Sequence, residues 1–471
     1  MSDKISRKHF LKNSALGMTG LTLAPLTASA TSSKQVLEHS SDNAKQNYAP
    51  NDRIQIAAIG MGIIANYNIP TALEVPGVEF VAAADCYDSR LQHVKETYGK
   101  DIFTTRNYKE ILDRSDVDAV VINVPDHWHA QISIDAMNAG KDVYCEKPMV
   151  HKIEEGNRVI QAQKETGRVM QVGSQFASNI LFTKAAELYR SGAIGKLNQV
   201  MATYNRNSAL GAWQYSMPED ATPETVDWET FLGDAPDIPW DPKRFFRWRC
   251  YWDYGTGVAG DLFVHLFTAV HTVTGAVGPT RISTAGGLRS WFDEREVPDV
   301  VLGQYSYPET DAHPEFTLSL QSNLADGSGG GNNFRFIGDE GVIEVGYDTV
   351  KLIQSPRRTP SVDQLVEGYN SVMTFSEDVQ QEFRNNAEQA RADQAPESPE
   401  MDRSAEYSSP DGYDARLDHL ANFFDAIRDG ADLVEDPTFG FRAAAPALLT
   451  NTSYREERMV RWDPEKMAVE S

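Results

Sequence analysis

Short apolar runs alternate with stretches of helical spacing in the first half of the chain. Four of the runs have the length of a β-strand: residues 53–59, 78–84, 119–124 and 142–145. Nearly continuous apolar runs of this kind are typical of parallel strands covered by helices on both faces. The pattern therefore predicts an α/β domain with a doubly wound parallel sheet over residues 52–172.

Beyond residue 173 the pattern favours strands over helices. The β-rich runs lie at residues 197–204, 280–285, 300–307, 316–322 and 333–345. They predict a second, α+β domain over residues 173–471 with a large, mostly antiparallel open sheet. The glycine-rich segment 326–333 lacks the Lys-Ser/Thr of a phosphate-binding loop, which favours a long hairpin connection.

A polar and acidic segment interrupts this second half at about residues 351–413. Nine acidic residues stand against three arginines between Glu377 and Glu406. We interpret the segment as an insertion or subunit arm that is helical in part before Ala395. A solvated loop is the favoured interpretation.

The first 30 residues have the order of an export signal. A basic start leads into a mildly apolar stretch and then into Ala28-Ser29-Ala30, a small-residue cleavage site. The run at 6–12 is similar to the twin-arginine signal, with Lys8 at the place of the second arginine. We predict a periplasmic protein, with a polar linker over residues 31–51. An amphipathic N-terminal helix is the less favoured alternative.

The net charge sets limits on the partners. The 471 residues include 44 basic and 68 acidic ones, for a net charge of −24. This charge argues against nucleic acid and anionic membranes as main partners, since both would repel the chain. The apolar stretch near the N-terminus is too short and too polar for a membrane span. Three scattered cysteines indicate buried thiols in a protein that folds in a reducing compartment, which suits twin-arginine export because that pathway moves proteins that are already folded.

A glycine turn joins the first two strands of the parallel sheet. Gly60 permits the tight turn, and Gly62 lets the backbone approach a diphosphate at the start of the next helix, beside Ile63 and Ile64. The second strand ends on Asp85, 25 residues after Gly60, where a carboxylate can bond the ribose hydroxyls of a dinucleotide. The whole arrangement indicates a Rossmann unit and favours cofactor binding over a plain turn.

The acid at the strand end bears on the choice of cofactor. A carboxylate at Asp85 would repel a 2′-phosphate, so NAD is preferred over NADP. Arg90 could pair with such a phosphate if Asp85 turned away, which keeps NADP as the alternative.

Two polar clusters follow the next two strands. Asn123, Pro125 and His129 follow the third strand, and Glu146 and Lys147 follow the fourth. Ligands of open α/β sheets bind beyond the carboxyl ends of the strands, so both clusters are predicted to lie at the nicotinamide. For His129 we favour a place in the lining of the site.

The neighbouring His127 is interpreted differently, as a residue of helix capping and local packing. Together the two histidines could form a metal pair, but carboxylate or thiolate partners at useful spacing are lacking.

These motifs resemble those of the Gfo/Idh/MocA family, which includes glucose-fructose oxidoreductase and inositol dehydrogenase. The matching pieces are GMGIIA at 60–65, the strand-end Asp85, VPDHWH at 124–129, YCEKP at 144–148 and GDLFVH at 260–265. The resemblance covers residues 53–350 and 415–467, and the tail looks like that of exported bacterial members. Phe441 stands where that branch often has histidine, so no role of that histidine is carried over.

The resemblance implies a two-domain NAD(P)-dependent oxidoreductase that acts on sugars or cyclic polyols. It also implies a homo-oligomer, a dimer or a tetramer. Lys147 would contact the nicotinamide and the substrate hydroxyl, and Asp261 and His265 would complete the catalytic set. A periplasm with little free NAD favours a tightly bound cofactor.

The residues themselves support this assignment. Asp261 and His265 are spaced i, i+4, which places them on one face of a predicted helix that is otherwise apolar. His265 can act as general base, with Asp261 orienting it or bonding a substrate hydroxyl. Lys147 can relay a proton or polarise a carbonyl, and the Lys147-Pro148 bond could be cis. The alternatives are a helix cap, a packed core histidine and a surface lysine.

Residues 240–257 are dense in arginine and aromatic side chains, which bind hydroxyls and stack on sugar rings. We expect part of this run to lie over the substrate; a packed loop with stacked Arg/Trp pairs is the alternative. The candidate substrate residues are Gln175, Arg206, Arg247, Trp248 and Tyr254.

Three functions remain open on this sequence. The first is transfer of a hydride between a sugar or polyol and NAD. The second is redox-neutral cleavage of a glycoside by oxidation, elimination and re-reduction. The third, a non-catalytic sugar-binding protein, is disfavoured by the intact Lys147, Asp261 and His265.

Overall fold

The computed structural model describes residues 35–39, 52–355, 360–392 and 404–470. The strands are β1 (Gln35–Val36), β2 (Ile54–Ile59), β3 (Val78–Ala84), β4 (Phe103–Thr105), β5 (Ala119–Ile122), β6 (Asp142–Glu146), β7 (Met170–Gly173), β8 (Leu197–Asn205), β9 (Arg281–Gly287), β10 (Val300–Tyr307), β11 (Phe316–Asn323), β12 (Gly331–Gly338), β13 (Gly341–Val345), β14 (Thr349–Gln354), β15 (Ala405–Ser408), β16 (Val460–Asp463) and β17 (Ala468–Glu470). The α-helices are α1 (Ala65–Glu74), α2 (Asp88–Tyr98), α3 (Tyr108–Leu112), α4 (His129–Asn138), α5 (Ile153–Thr166), α6 (Ile180–Arg190), α7 (Trp228–Leu232), α8 (Pro242–Phe246), α9 (Val264–Thr274), α10 (Val362–Val366), α11 (Glu377–Ala392), α12 (Ala415–Asp429) and α13 (Pro437–Glu456). The predicted export signal lies outside the described residues.

The predicted parallel sheet is confirmed. Six strands run parallel in the order β4-β3-β2-β5-β6-β7. Every residue of β5 and β6 is buried, because helices cover both faces of the sheet. The strand order reverses between β2 and β5, and this switch point opens the crevice in which doubly wound sheets bind ligands.

The second sheet has 11 strands in the order β1-β15-β14-β13-β12-β8-β11-β10-β9-β16-β17. It is mostly antiparallel, as predicted, and the parallel pairs are β8 with β11 and β1 with β15. Along β10 and β11, buried residues alternate with more exposed ones, so the two faces of the sheet differ. Helices α6, α9 and α13 pack against the buried face.

Two details of this sheet differ from the prediction. The run at 333–345 is a hairpin of two strands, β12 and β13, because Asp339 and Glu340 turn the chain between them. The glycine-rich segment is not a hairpin connection, since β11 and β12 do not pair with each other. Both pair with β8, which lies between them.

The predicted linker and insertion also take part in this sheet. Gln35 and Val36 pair with β15, so the linker prediction is wrong for these residues. The ends of the insertion pair as β14 and β15, which moves its limits inward to residues after Gln354 and before Ala405. The helix predicted before Ala395 is confirmed as α11.

The C-terminal helices join the two sheets. In α12, Nε2 of the buried His419 donates to the Val172 carbonyl at 2.7 Å, and its Nδ1 accepts from the Ser178 hydroxyl at 2.7 Å. Burial lowers the pKa of His419 to about 4, so the ring is neutral at neutral pH. Phe441 of α13 is buried against Gly156 of α5. The matched tail segment therefore holds the first sheet to the second.

Other features of the described residues agree with the composition. Cys145 and Cys250 are buried and Cys86 is half-buried, and all three thiols are free. No helix in the described ranges is both long enough and apolar enough to cross a membrane.

Candidate active site

The glycine turn after β2 depends on backbone conformations that only glycine adopts freely. Gly60 has φ +88°, and a Cβ atom there would lie 2.7 Å from the carbonyl oxygen of Asn123. A Cβ on Gly62 would meet nothing within 4 Å. The turn is therefore closed around Gly60 and open at Gly62, where a ligand can approach the backbone.

The open side of the turn suits a diphosphate. The backbone N–H groups of Gly62, Ile63 and Ile64 have no acceptor within the described residues. They lie at the start of α1, where the helix dipole favours an anion. These free donors are the feature that fits a dinucleotide cofactor.

Asp85 holds this turn in shape. Its carboxylate accepts from the Met61 N–H at 2.7 Å and from the Tyr87 N–H at 2.9 Å. Arg90 lies 3.4 Å from both carboxylate oxygens. Asp85 therefore does not turn away from Arg90, and each carboxylate oxygen keeps a further lone pair for a ribose hydroxyl.

A groove extends from the turn along the ends of the strands. All of the predicted cofactor-binding residues line it: Gly60, Gly62, Ile63, Ile64, Asp85, Arg90, Asn123, Pro125, His129, Glu146 and Lys147. Aromatic residues that were not predicted to lie here, Phe245, Phe246 and Trp248, form part of the lining. The Arg90 guanidinium lies 5.3 Å from the centre of the Phe245 ring. The aromatic run thus forms part of the wall of the cofactor groove.

The two histidines after β5 hold loops together. The ring nitrogens of His129 contact the Pro148 carbonyl at 2.6 Å and the Val124 carbonyl at 2.9 Å, so the buried ring forms the base of the groove. His127 contacts the Phe231 carbonyl at 2.9 Å, and burial lowers its pKa to about 3. The packing interpretation fits His127. Among the described residues, no group of three His, Cys, Asp or Glu is placed to hold a metal ion.

A buried asparagine links the two polar clusters, and the sequence analysis missed it. The Asn68 amide, on the inner face of α1, donates to Asn123 Oδ1 at 2.9 Å and to Glu146 Oε1 at 2.8 Å. The sequence does give a signal for Asn68, which is a polar residue at a core position of an apolar helix face. By holding both side chains, Asn68 fixes the ends of β5 and β6 at the groove.

Lys147 and Asp261 line a second cavity of about 490 Å³. The Lys147 ammonium donates to Asp261 Oδ1 at 3.0 Å and to the Asp261 carbonyl at 2.9 Å. The Lys147-Pro148 bond is cis. Arg249, which sequence reasoning did not single out, donates to the same carboxylate oxygen at 3.1 Å. Asp261 therefore orients Lys147 and Arg249, and no bond joins it to His265.

Charge keeps Asp261 ionised although it is buried. Burial alone would raise the pKa of its carboxyl, but the positive charges of Lys147, Arg249 and Arg206 hold it well below the usual range. The segment that carries it is a π-helix, Ala259–Phe263, followed directly by α9. The expected regular helix is thus wrong at its start, and the wider turn presents both the carboxylate and the carbonyl of Asp261 to Lys147.

His265 provides this cavity with a neutral base. Burial lowers its pKa well below the ordinary value, and the positive charge of Lys147 adds to this effect. Its Nδ1 lies 3.4 Å from the Ser174 hydroxyl, and Nε2 has no hydrogen-bond partner within the described residues. The imidazole is therefore unprotonated at neutral pH and has a free nitrogen.

A polar chain behind His265 sets which nitrogen is free. Ser174 donates to Thr268 at 3.0 Å, and Thr268 donates to Glu435 at 3.4 Å. Burial raises the pKa of the Glu435 carboxyl well above its usual range, which favours its neutral form. Because Ser174 uses its proton toward Thr268, its oxygen accepts from Nδ1–H of His265. Nε2 is left as the acceptor in the cavity.

The predicted substrate residues fall into three groups: two line the second cavity, one lines the cofactor groove and two line neither space. Gln175 and Arg206 line the second cavity. Trp248 lines the cofactor groove instead. Arg247 donates to the Tyr215 carbonyl at 3.0 Å and to Gln214 at 2.5 Å and lines neither space. Tyr254 is fully buried against Phe231, because the aromatic run packs onto itself, which was the alternative interpretation.

The two glycines of the turn give a matched pair of variants. Gly60→Ala is expected to lower the free energy of unfolding by about 1–3 kcal/mol, because its φ and the Asn123 backbone exclude a side chain. Gly62→Ala is expected to unfold like the wild type and to retain less cofactor, since only the ligand side is filled. Thermal unfolding and the nicotinamide content of each purified variant check this. Wild-type stability of Gly60→Ala would contradict the geometry of the turn.

Comparison with known proteins agrees with this arrangement. Residues 54–174 match the description "Oxidoreductase family, NAD-binding Rossmann fold", and residues 198–283 match "Oxidoreductase family, C-terminal alpha/beta domain". Inositol 2-dehydrogenase of Salmonella paratyphi B is 27% identical over 189 residues, 40% of this chain and 54% of that protein. Alpha-N-acetylgalactosaminidase of Shewanella oneidensis is 27% identical over 254 residues, 51% of each chain. The chain thus spans about half the length of these curated relatives.

A solved structure extends the likeness of the fold to both sheets. Aldose-aldose oxidoreductase from Caulobacter crescentus, complexed with glycerol, superposes with a TM-score of 0.59 at 19% identity. The match covers 87% of this chain and 99% of that one. At this identity the likeness concerns the fold alone.

Proposed function

Because the chain belongs to the Gfo/Idh/MocA family of oxidoreductases, we propose that it transfers a hydride between a sugar or cyclic polyol and NAD. One observation carries the proposal: the cofactor groove and the second cavity share a wall that includes Lys147, Glu146 and Arg249. A molecule in the second cavity would contact the end of the groove at this wall. His265 lies in the lining of the same cavity.

The chain's own residues handle the proton of the alcohol. The nicotinamide, when bound, supplies the acceptor for the hydride that leaves carbon. Nε2 of His265 accepts the proton that leaves the hydroxyl oxygen. The Lys147 ammonium donates a hydrogen bond to that oxygen and stabilises the negative charge that develops on it. Asp261 holds the ammonium in place at 3.0 Å.

NAD is the proposed cofactor. The turn N–H groups of 62–64 would bind its diphosphate, and Asp85 would bond the ribose hydroxyls. The family description names an NAD-binding fold, which supports the choice over NADP. Asp85 remains beside Arg90 and would place a negative charge against a 2′-phosphate.

We expect the cofactor to stay bound through purification. Phe245, Phe246 and Trp248 line part of the groove and would pack against a bound cofactor, which favours slow release. The measurement is the nicotinamide released by acid from extensively dialysed protein, identified by mass and compared with the protein concentration. A ratio near one is expected. Rapid loss during dialysis would contradict tight binding of the cofactor.

Redox-neutral cleavage of a glycoside is the second candidate. The alignment with alpha-N-acetylgalactosaminidase supports it, because the oxidation step would use the same side chains. Free sugars that leave reduced nicotinamide on the protein support the dehydrogenase. Release of the aryl alcohol from an aryl glycoside without net reduction supports the cleavage reaction. Failure of both, with cofactor bound, would sink the proposed function.

We also propose that the protein is exported and works in the periplasm. The support is the basic, apolar and small-residue order of residues 1–30. Fractionation of the producing cells, with a Lys8→Gln variant beside an Arg7→Gln one, tests it. Retention of the wild-type chain in the cytoplasm would contradict export.

A homo-oligomer is proposed as well, built on the outer face of the large sheet. Met201 of β8 and Leu302 of β10 are exposed on that face, 39% and 43% respectively. Apolar side chains in the middle of an open sheet favour contact with a second copy. Light scattering that gives the mass of a single chain would contradict this proposal.

A further inference from the structure

One arginine in the second cavity has no carboxylate partner. Arg206 follows β8 and lines the cavity, and its Nη1 donates to the Gly211 carbonyl at 3.1 Å. The guanidinium lies 5.5 Å from the centre of the Tyr204 ring. Within the described residues no acidic side chain pairs with it, so most of its five N–H donors have no protein acceptor.

The acidic residues of the same cavity are already committed or lie at its rim. Asp261 is bound by Lys147 and Arg249, and Glu146 accepts from Asn68 and from the Lys147 N–H. At the rim, Asp414 caps α12 and lies 3.8 Å from Arg416, while Asp348 is exposed to solvent. The inner wall therefore carries an unpaired positive charge.

An unpaired positive charge is unexpected from the composition of the chain. Acidic residues outnumber basic ones by 68 to 44, so a half-buried arginine would be expected to find a carboxylate. Arg206 also lowers the pKa of both Asp261 and His265, which places its charge close to the reacting groups. A guanidinium fork with free donors matches the two oxygens of a carboxylate.

We propose that the substrate is an anionic sugar, whose carboxylate or other acidic group pairs with Arg206 while a ring hydroxyl lies at Lys147 and His265. The inference rests on the proposed oxidoreductase function and names its substrate class. The aromatic rings of Phe176, Tyr204 and Tyr215 line the same cavity and provide apolar surface for a sugar ring.

Matched pairs of sugars test the proposal on the purified holoprotein. Galacturonate is compared with galactose and glucuronate with glucose, and the readout is reduction of the bound nicotinamide. We expect kcat/KM to be about ten- to a hundredfold higher for the acid, mainly through KM, as for a charge-assisted hydrogen bond. A sugar phosphate and a sugar sulfate, run beside the uronates, identify which acidic group is preferred.

Variants at the arginine separate charge from fold. Arg206→Gln is expected to abolish the preference for the acid, because kcat/KM for the acidic sugar should fall much further than kcat/KM for the neutral one. Arg206→Lys keeps the charge without the fork and should retain part of the preference. Arg190→Gln, at an exposed arginine at the end of α6, serves as the matched control. Wild-type preference in Arg206→Gln would overturn the proposal.

The outcomes distinguish this inference from the function on which it rests. Reduction of the cofactor by neutral and acidic sugars with equal kcat/KM overturns the anionic substrate alone. Absence of reduction with every sugar, together with binding of uronates that Arg206→Gln weakens in calorimetry, supports the subsite and contradicts the oxidoreductase. If the cofactor is not reduced and uronates do not bind, the oxidoreductase function and the anionic subsite are both overturned.

Discussion

Lys147→Met is expected to lower kcat by about 10²–10⁴-fold while the purified protein keeps its cofactor. The ammonium contacts the carboxylate and the carbonyl of Asp261 and lies in the wall shared by both cavities. Methionine keeps the length of the side chain and removes the hydrogen bond to the substrate oxygen. Single-turnover reduction of the bound nicotinamide measures the loss directly.

The control for this variant is a lysine outside the site. Lys164 lies exposed on α5, so Lys164→Met should leave kcat and cofactor content unchanged. Asp261 would lose one of its cations in Lys147→Met, but Arg249 still pairs with it at 3.1 Å, so the fold should persist. Turnover within a few fold of the wild type would contradict the role of Lys147.

His265→Asn is expected to reduce kcat/KM by a similar factor and to change its pH dependence. In the wild type, the pKa of His265 lies well below about 6.5, the ordinary value for histidine, because of burial and the charge of Lys147. A base with a lowered pKa stays unprotonated as the pH falls through 6.5. Activity should therefore persist to lower pH and be lost only as His265 takes up its proton. This loss of activity at low pH is the acid limb of the pH profile. It should be missing in His265→Asn, because asparagine takes up no proton.

A second histidine of the same helix provides the control. His271 is buried, contacts the Tyr307 hydroxyl at 3.0 Å and has a pKa lowered to about 3 by burial. His271→Asn should cost about 1–3 kcal/mol of stability and leave the pH profile intact, since the residue lines neither cavity. An unchanged acid limb in His265→Asn would contradict its role as the base.

Much of the fold follows from local patterns. The apolar runs of β2, β3, β5 and β6 were predictable because burial on both faces of a parallel sheet leaves few polar positions. The order of β11, β8 and β12 was not, because pairing between distant strands depends on tertiary contacts that periodicity does not record. The same holds for Gln35 and Val36, which are too few to give a strand signal.

The residues of the site also divide into those that the sequence predicts and those that it does not. Gly60, Asp85, Lys147 and His265 belong to motifs whose spacing has a chemical reason, and the structure places all of them at the two cavities. Trp248 lines the cofactor groove because of the way in which the aromatic run packs. The spacing of residues in the sequence does not encode this packing.

Arg249 and Glu435 show a second limit of sequence reasoning. Arg249 is one of several arginines in its run, and only its contact with Asp261 distinguishes it. Glu435 lies 170 residues after His265 in the chain and is linked to it through Ser174 and Thr268. Partners this distant become visible only when the helices and strands are assembled.

Transfer of deuterium tests the central claim most directly. The holoprotein is mixed with sugars and uronates that carry deuterium on carbon. The nicotinamide cofactor is then extracted, and its mass is measured by mass spectrometry. We expect the label of at least one sugar in the nicotinamide ring, and a Lys147→Met protein should show almost none in the same time. Conversion of a sugar without deuterium in the cofactor, or no transfer from any labelled sugar to a cofactor-loaded protein, would contradict the account.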